Sequence, residues 1–353
     1  MRYVVYGAGA VGTLIGSRLA LAGHDVNFLT RPHLVDEFRE HGLRLTGDTE
    51  PDFLQTPNLS TTFQAALSST PADVILLTVK AFDIRAAGED ILDHALTDVP
   101  LVSFANGISN EKTLGEILGT DRIIPATLTT SVQLFLAGEI RVEHERGIGL
   151  AGSHPLIPRI SMEMTSSGMV VRQYADPDRM KWSKALVNII SNASSGILGW
   201  SPAQIFQHPG LFRLELEALR ETVRIMRRMG NRPQNLPGAP ISLLGYGIFL
   251  PPVLIQKILG RIVAKSRGEK RPSFHYDIGR GRSEVHWLNG AISSTGSEFG
   301  IPTPANTVLY ETMKALVNRS QEHERYLDKP DQLLSLAAKA GVPGFQGYNP
   351  SRD

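Results

Sequence analysis

The first thirty residues constrain the fold more than any other part of the chain. The apolar run Tyr3 to Tyr6 feeds directly into Gly7, Gly9 and Gly12, and Val11, Leu14, Ile15 and Leu19 follow at helical spacing. A second apolar run, Val26 to Leu29, comes next. Strand, glycine turn, helix, strand is the opening of a Rossmann-like unit, and each glycine has its own task. Gly7 allows the tight turn. Gly9 lets a pyrophosphate reach backbone N–H groups at the helix start, and Gly12 lets helix and strand pack closely. The segment Gly7, Ala8, Gly9, Ala10, Val11 and Gly12 is therefore the expected dinucleotide loop.

The end of the second strand selects between cofactors. An acid about 20 residues past the glycines would hydrogen-bond a ribose 2′-OH, whereas an arginine accommodates a 2′-phosphate. Here the strand ends in Thr30 and Arg31, with no acid until Asp36, so NADPH is expected.

Strand-like runs continue at 74–79 (VILLTV), 101–105 (LVSFA) and 122–128 (RIIPATL), alternating with helical patterns such as IRAAGEDILDHAL. That alternation predicts a doubly wound parallel sheet, and open α/β sheets bind ligands beyond the carboxyl ends of their strands. Lys80 and Asn106, with Gly107 beside it, stand just past two such ends and are candidates for contacts to cofactor or substrate. After about Tyr174 the strand signals stop. Helical periodicity then covers 176–195, 211–229, 284–299 and 304–320. The fold class expected is α/β, a Rossmann-like domain over 1–174 followed by an all-helical domain over 175–328, with a tail over 329–353. The chain's 353 residues exceed what one core usually supports.

Within the second domain, KWSKALVNIISNASSG at 181–196 spaces Lys184, Asn188 and Asn192 four residues apart. On one continuous helix that spacing drifts only about 40° per step, so an ammonium and two carboxamides share a face. Leu186, Val187, Ile189, Ile190 and Ala193 take the others. Such a stripe either lines a cleft or pairs with backbone in a core. Downstream, Ser273, Asp277, Arg280, Arg282 and Glu284 gather before another helix, which Ser283 is placed to cap.

Composition adds exclusions. A net charge of +1 gives no sign of a nucleic-acid surface or a polybasic membrane face. The absence of cysteine excludes disulfides, thiol nucleophiles and cysteine-ligated zinc. The ten histidines show no metal-ligand spacing, and no metal is expected. VEHERG at 142–147 reads as a solvated strand or hairpin. The N-terminal stretch lacks the arrangement of a signal peptide, and a cytoplasmic enzyme is expected. The apolar window 241–260 contains a proline pair and Lys257, which argues for two short buried helices rather than a membrane span. Oligomeric state is not fixed by these residues, and a homodimer stays open.

Taken in order, GAGAVG at 7–12, Arg31, LLTVKAFD at 76–83, the NG of 106–107, the KxxxNxxxN of 184–192 and PSFHYDIGRGRSEVHWLNG at 272–290 resemble the successive motifs of the ketopantoate reductase (2-dehydropantoate 2-reductase) family. The resemblance covers about residues 1–325. It implies an NADPH-dependent reductase of a small 2-oxo acid, ketopantoate, whose two domains meet over the active site. By position it implies that Lys184 is the general acid and Glu284 its neighbour. Asn188, Asn192 and Ser273 hold substrate, and Lys80 and Asn106 lie near cofactor and substrate. Where close relatives of the biosynthetic enzyme carry a further asparagine, this chain has Leu198, Gly199, Trp200, Ser201 and Pro202. Reduction of another 2-oxo acid, or NADPH binding without turnover, are the alternatives left open.

Overall fold

A computed structural model describes residues 1–47, 51–67, 71–94, 99–267 and 273–348, with side chains of the long helix ending at 267 described to Val263. The chain divides into two compact units, Met1–Lys181 with Asn235–Ala239, and Trp182–Gln234 with Pro240–Asp353. The division thus lies beyond the boundary expected near residue 174. Part of the expected loop 231–240 belongs to the first unit, where the Thr129 hydroxyl donates to the Pro237 carbonyl at 2.8 Å.

Among its described residues the first unit has twelve strands: β1 (Arg2–Tyr6), β2 (Asp25–Leu29), β3 (Leu43–Gly47), β4 (Asp52–Leu54), β5 (Asn58–Ser60), β6 (Val74–Leu77), β7 (Leu101–Ser103), β8 (Ile123–Leu128), β9 (Ser131–Leu136), β10 (Glu139–His144), β11 (Ile148–Ala151) and β12 (Val171–Tyr174). Eight of them form one sheet in the order β12-β11-β8-β7-β6-β1-β2-β5, parallel throughout except where β11 meets β8. Its helices are α1 (Ala10–Leu21), α2 (Val35–His41), α3 (Phe63–Leu67), α4 (Ile84–Asp93), α5 (Asn110–Leu118) and α6 (Ile157–Ser166); α7 (Pro177–Ile189) begins there.

Successive strand residues point to opposite faces, and both faces are apolar. Tyr3, Val5, Val74, Leu76 and Val102 pack with Ile15 and Leu19 of α1 and with Ile157 and Ile160 of α6. Val4, Ile75, Leu77 and Leu101 pack against Ile84, Ala87 and Ile91 of α4 and Leu114 of α5. This is the doubly wound arrangement expected. The chain leaves β1 for β2 on one side and returns to β6 on the other, so strand order reverses between β1 and β6. Ligands bind such sheets at that switch point.

A second, four-stranded sheet, β4-β3-β10-β9, has no counterpart in the sequence reading beyond the hairpin expected around 142–147. Leu45, Ile140 and Val142 close over Leu14 of α1.

The second unit contains α8 (Asn192–Leu198), α9 (Pro202–Gln207), α10 (Pro209–Arg228), α11 (Ile241–Gly247), α12 (Pro252–Arg267), α13 (Asn289–Glu298), α14 (Pro304–Asn318) and α15 (Pro330–Lys339). Among its described residues there is no strand, as expected. Within the expected tail, Leu333, Leu334 and Ala337 of α15, then Val342 and Phe345, are buried. The window 241–262 does form two helices, but the expectation that both are buried fails, because most of their large apolar side chains face solvent. Among the described residues no helix is long and apolar enough to cross a membrane.

Candidate functional site

At the carboxyl end of β1 the three glycines do three different things. Gly7 has φ of 110°, a conformation that favours glycine. A Cβ at Gly12 would lie 2.2 Å from the Gly7 carbonyl oxygen and 2.8 Å from Val5 Cγ1, so α1 can approach β1 only without one. A Cβ at Gly9 would meet nothing within 4 Å. That open space borders the N-terminus of α1, which has no side-chain cap and no acid in its first turn. Its unpaired N–H groups and dipole suit an anion. Ala8 is buried, while Ala10 and Val11 are half-buried along the rim.

Three neighbouring strand ends complete this edge. Arg31 is exposed just past β2. Lys80 is exposed just past β6, in extended backbone. Asn106 is half-buried past β7, its carbonyl accepting from Asn110 Nδ2 at 2.8 Å. The loop carrying Asn106 bends through Gly107 at φ 105° and Ser109 at φ 77°. A left-handed serine is costly, and such strain collects at functional sites. Since β7, β6, β1 and β2 are consecutive in the sheet, the fold brings the glycine loop, Arg31, Lys80 and Asn106 to one edge.

The helical unit holds the other candidates. On α7, Lys184, Val187 and Asn188 are half-buried, while Ser183, Ala185, Leu186 and Ile189 are buried. Lys184 and Asn188 therefore share a partly open side of a stretch whose other side is buried. Asn192 does not extend that stripe on one continuous helix, as the spacing predicted. The helix stops at Ile189, Ser191 turns to φ 52°, and α8 starts at Asn192. The cause is Glu215 of α10, fully buried, whose carboxylate accepts from the Ser191 N–H at 2.6 Å and from the Ser194 hydroxyl at 2.6 Å. A carboxylate satisfying the first donors of α8 takes the place of helical hydrogen bonds across the break.

Asn192 is itself buried, and its Oδ1 accepts from the Phe274 N–H at 3.2 Å. Its Nδ2 lies 3.4 Å from the Ser273 hydroxyl oxygen. The expected partners Asn192 and Ser273 thus meet each other, with Ser273 exposed at the start of a 3-10 turn, Ser273–Asp277. Pro272, the first residue of that motif, lies outside the described residues. Glu284 is buried at the start of a second 3-10 turn, Glu284–Trp287, and Ser283 caps it by accepting from the Val285 N–H at 3.2 Å.

Against that geometry, two family models cover most of the chain: "Ketopantoate reductase PanE/ApbA" over residues 3–151 and its C-terminal counterpart over 176–317. The chain belongs to the ketopantoate reductase family. With that membership it is an oxidoreductase. Relatives include the 2-dehydropantoate 2-reductases of Archaeoglobus fulgidus, 26% identical over 322 residues, and Pyrococcus horikoshii, 25% identical over 324. Each alignment spans 89% of this chain and 97% of the relative. Among solved structures, a PanE/ApbA family ketopantoate reductase from Ralstonia eutropha JMP134 matches with a TM-score of 0.77 at 24% identity, covering 91% of this chain and all of that one. D-mandelate dehydrogenase in a ternary complex with NADH and anilino(oxo)acetate has the same fold, with a TM-score of 0.72 at 20% identity over 90% of this chain and 99% of its own.

Three groups in this family member escaped the sequence reading. Thr78, just past β6, donates its hydroxyl to the Gly7 carbonyl at 2.6 Å and pins the glycine turn. Glu215 sets the break between α7 and α8. Lys181, one turn before Lys184, is buried, and its ammonium donates to the carbonyls of Ala105 at 2.7 Å and Ala126 at 3.3 Å. It also pairs with Glu111 at 2.8 Å, and Glu111 accepts from the Ser103 hydroxyl at 2.9 Å. Lys181 thus ties the first turns of α7, which belong to the first unit, to the residues after β7 and to β8 within that unit. A lysine within an amphipathic pattern gives no sequence signal of this kind, because its partners lie far away in the chain.

Proposed function

We propose that the chain reduces 2-dehydropantoate to pantoate with NADPH as hydride donor. The observation that carries this reading is the pair of half-buried polar residues Lys184 and Asn188 on a stretch of α7 where Ser183, Ala185, Leu186 and Ile189 are buried. An ammonium and a carboxamide together on a partly open face suit a small ligand rich in oxygens. Membership in the family supports the same reading.

The space at Gly9 and the uncapped start of α1 fit a dinucleotide pyrophosphate. Backbone from Gly7 through Ala8, Gly9, Ala10 and Val11 to Gly12 would hold it. Arg31 would face the 2′-phosphate, with Lys80 and Asn106 near the nicotinamide end. When bound, NADPH supplies a hydride to the ketone carbon. The chain's own task is then to stabilise and protonate the oxygen that becomes an alkoxide. Lys184 gives its proton to that oxygen, and its charge favours the developing anion. Glu284 is the neighbour of Lys184 that the family pattern assigns, while Asn188, Asn192 and Ser273 orient the substrate.

One observation favours a second reading, reduction of a different 2-oxo acid. The Asn192 carboxamide oxygen already serves the Phe274 N–H, so less of it is left for a substrate hydroxyl. Ketopantoate differs from 2-oxoisovalerate by one hydroxymethyl group, and a site built around that hydroxyl rejects the analogue by up to about 10⁴-fold. NADPH oxidation followed by absorbance against ketopantoate, 2-oxoisovalerate and other 2-oxo acids separates the readings. Ketopantoate is expected to lead in kcat/KM, and Lys184→Ala should lower kcat about 10²-fold or more with NADPH still bound. Turnover of 2-oxoisovalerate at a similar rate transfers the assignment to the broader class. NADPH binding without turnover of any of them removes the catalytic reading.

A further inference from the structure

Glu215 is a buried acid of the helical unit that the reaction above does not use. It meets the joint between Asn188, near the end of α7, and Asn192, at the start of α8. In an unbroken helix the Ser191 N–H would donate to the Val187 carbonyl, and Asn192 would stand one turn beyond Asn188 on the same side. Here that N–H donates to Glu215 Oε2 at 2.6 Å, and the Ser194 hydroxyl donates to Oε1 at 2.6 Å. Glu215, Ser191 and Ser194 are all buried, where a donor left without an acceptor is costly. Ser191 has φ of 52°, which a residue with a Cβ adopts less readily than helical backbone. Its conformation is therefore held by the contact and not by local preference. What the break changes is Asn192. Its carboxamide is turned to the 3-10 turn Ser273–Asp277, with Oδ1 accepting from the Phe274 N–H at 3.2 Å and Nδ2 lying 3.4 Å from Ser273 Oγ. Lys184 and Asn188 stand before the break, on a stretch gripped by the buried Ala185, Leu186 and Ile189.

We propose that Glu215 is a positioning residue for substrate binding: by holding Ser191 left-handed it aims Asn192 at Ser273, and that pair receives the 2-oxo acid. This role rests on the reading above in which Asn192 and Ser273 orient the substrate. It acts on binding and not on the chemical step, because the proton donor Lys184 lies before the break. Two oxygens answering two donors also make the requirement specific. A glutamine at 215 meets it, with Oε1 accepting from the Ser191 N–H and Nε2 donating to the Ser194 oxygen, whose own hydrogen can turn away. A leucine fills the space and answers neither donor. The Ser191 N–H then finds an acceptor only by rejoining the helical ladder of α7, which carries Asn192 away from Ser273.

Steady-state kinetics of the full chain test this, with NADPH and either ketopantoate or 2-oxoisovalerate, whichever the wild type reduces faster. Glu215→Leu should raise KM for that acid about 10-fold, the worth of one hydrogen bond to substrate, while kcat stays within about threefold. NADPH affinity, read by fluorescence titration, should not change. Glu215→Gln should keep the wild-type KM. Ser191→Gly added to Glu215→Leu should bring KM back down, since glycine takes left-handed backbone freely and helix poorly. A loss of packing alone would not respond to that second change. Ser191→Ala reaches the joint without touching the carboxylate and favours helix, so it should raise KM even if Glu215→Leu does not fold. With an active wild type, the role is overturned by a Glu215→Leu protein that melts lower but keeps its KM, by Glu215→Gln as impaired as Glu215→Leu, or by Ser191→Ala with an unchanged KM. A wild type that reduces neither acid overturns the reaction proposed above and this role with it.

Discussion

Arg31 and Gly12 show what single residues disclose about themselves. The need for glycine at position 12 is local: strand and helix are joined by three residues, and the carbonyl that excludes a Cβ belongs to Gly7. Such a requirement is legible in the sequence because its cause lies within the motif. The position of Arg31 is likewise local, two residues past β2 with its side chain in solvent. Arg31→Ala should weaken NADPH by about 1.5–3 kcal/mol, the worth of a hydrogen bond to a charged group, which is roughly 10- to 100-fold in affinity. NADH should be nearly unaffected, and fluorescence titration with both cofactors checks this. Equal losses would remove the 2′-phosphate assignment. Ser191 lies at the other extreme. Its left-handed backbone answers to Glu215, and no pattern in residues 181–196 announces a carboxylate arriving from another helix.

At the scale of elements, period and punctuation located most of the main sheet and the helices, because those signals are carried by contiguous residues. The second sheet was missed except for its hairpin. Its central pairing sets Leu45 beside Ile140, two strands from distant parts of the chain whose short apolar runs do not name each other. Lys181 is hidden in the same way, and it holds the start of α7 against Ala105 and Ala126 of its own unit. Removing one partner of a buried ion pair strands the other, at a cost of about 3–5 kcal/mol, whereas replacing both by apolar groups is far better tolerated. Lys181→Met should therefore destabilise strongly, by about 3 kcal/mol in urea unfolding, because the Glu111 carboxylate keeps the Ser103 hydroxyl but loses the ammonium that balances its charge. Adding Glu111→Met should recover much of that loss. If the double variant is as unstable as the sum of the two singles, the pair is not the anchor.

For the whole molecule, stability should depend on pH through a group remote from the candidate site. Glu221 of α10 is buried and takes up the N-terminus of α14, accepting from the N–H groups of Ala305 at 2.8 Å and Asn306 at 3.0 Å. Burial is the leading cause that pushes its pKa up to about 7; those hydrogen bonds oppose it, and Glu217 adds to it. The sign follows from linkage. In the unfolded chain the carboxyl loses its proton near its usual value of 4.5, while in the folded chain it keeps it until about 7. The stabilisation is therefore complete below about 4.5, declines as pH rises through 7, and is gone above it. A displacement of that size corresponds to about 3 kcal/mol. Glu221→Gln cannot titrate. The wild-type Tm should consequently fall relative to that of Glu221→Gln between pH 4.5 and 7, and the difference should become flat above that range. Comparing the two proteins cancels the carboxylates and histidines they share, so only the residue at 221 contributes to the slope. A difference in Tm that stays constant across the range, or that grows in favour of the wild type as pH rises, would show that Glu221 is ionised throughout and serves α14 as a charged cap.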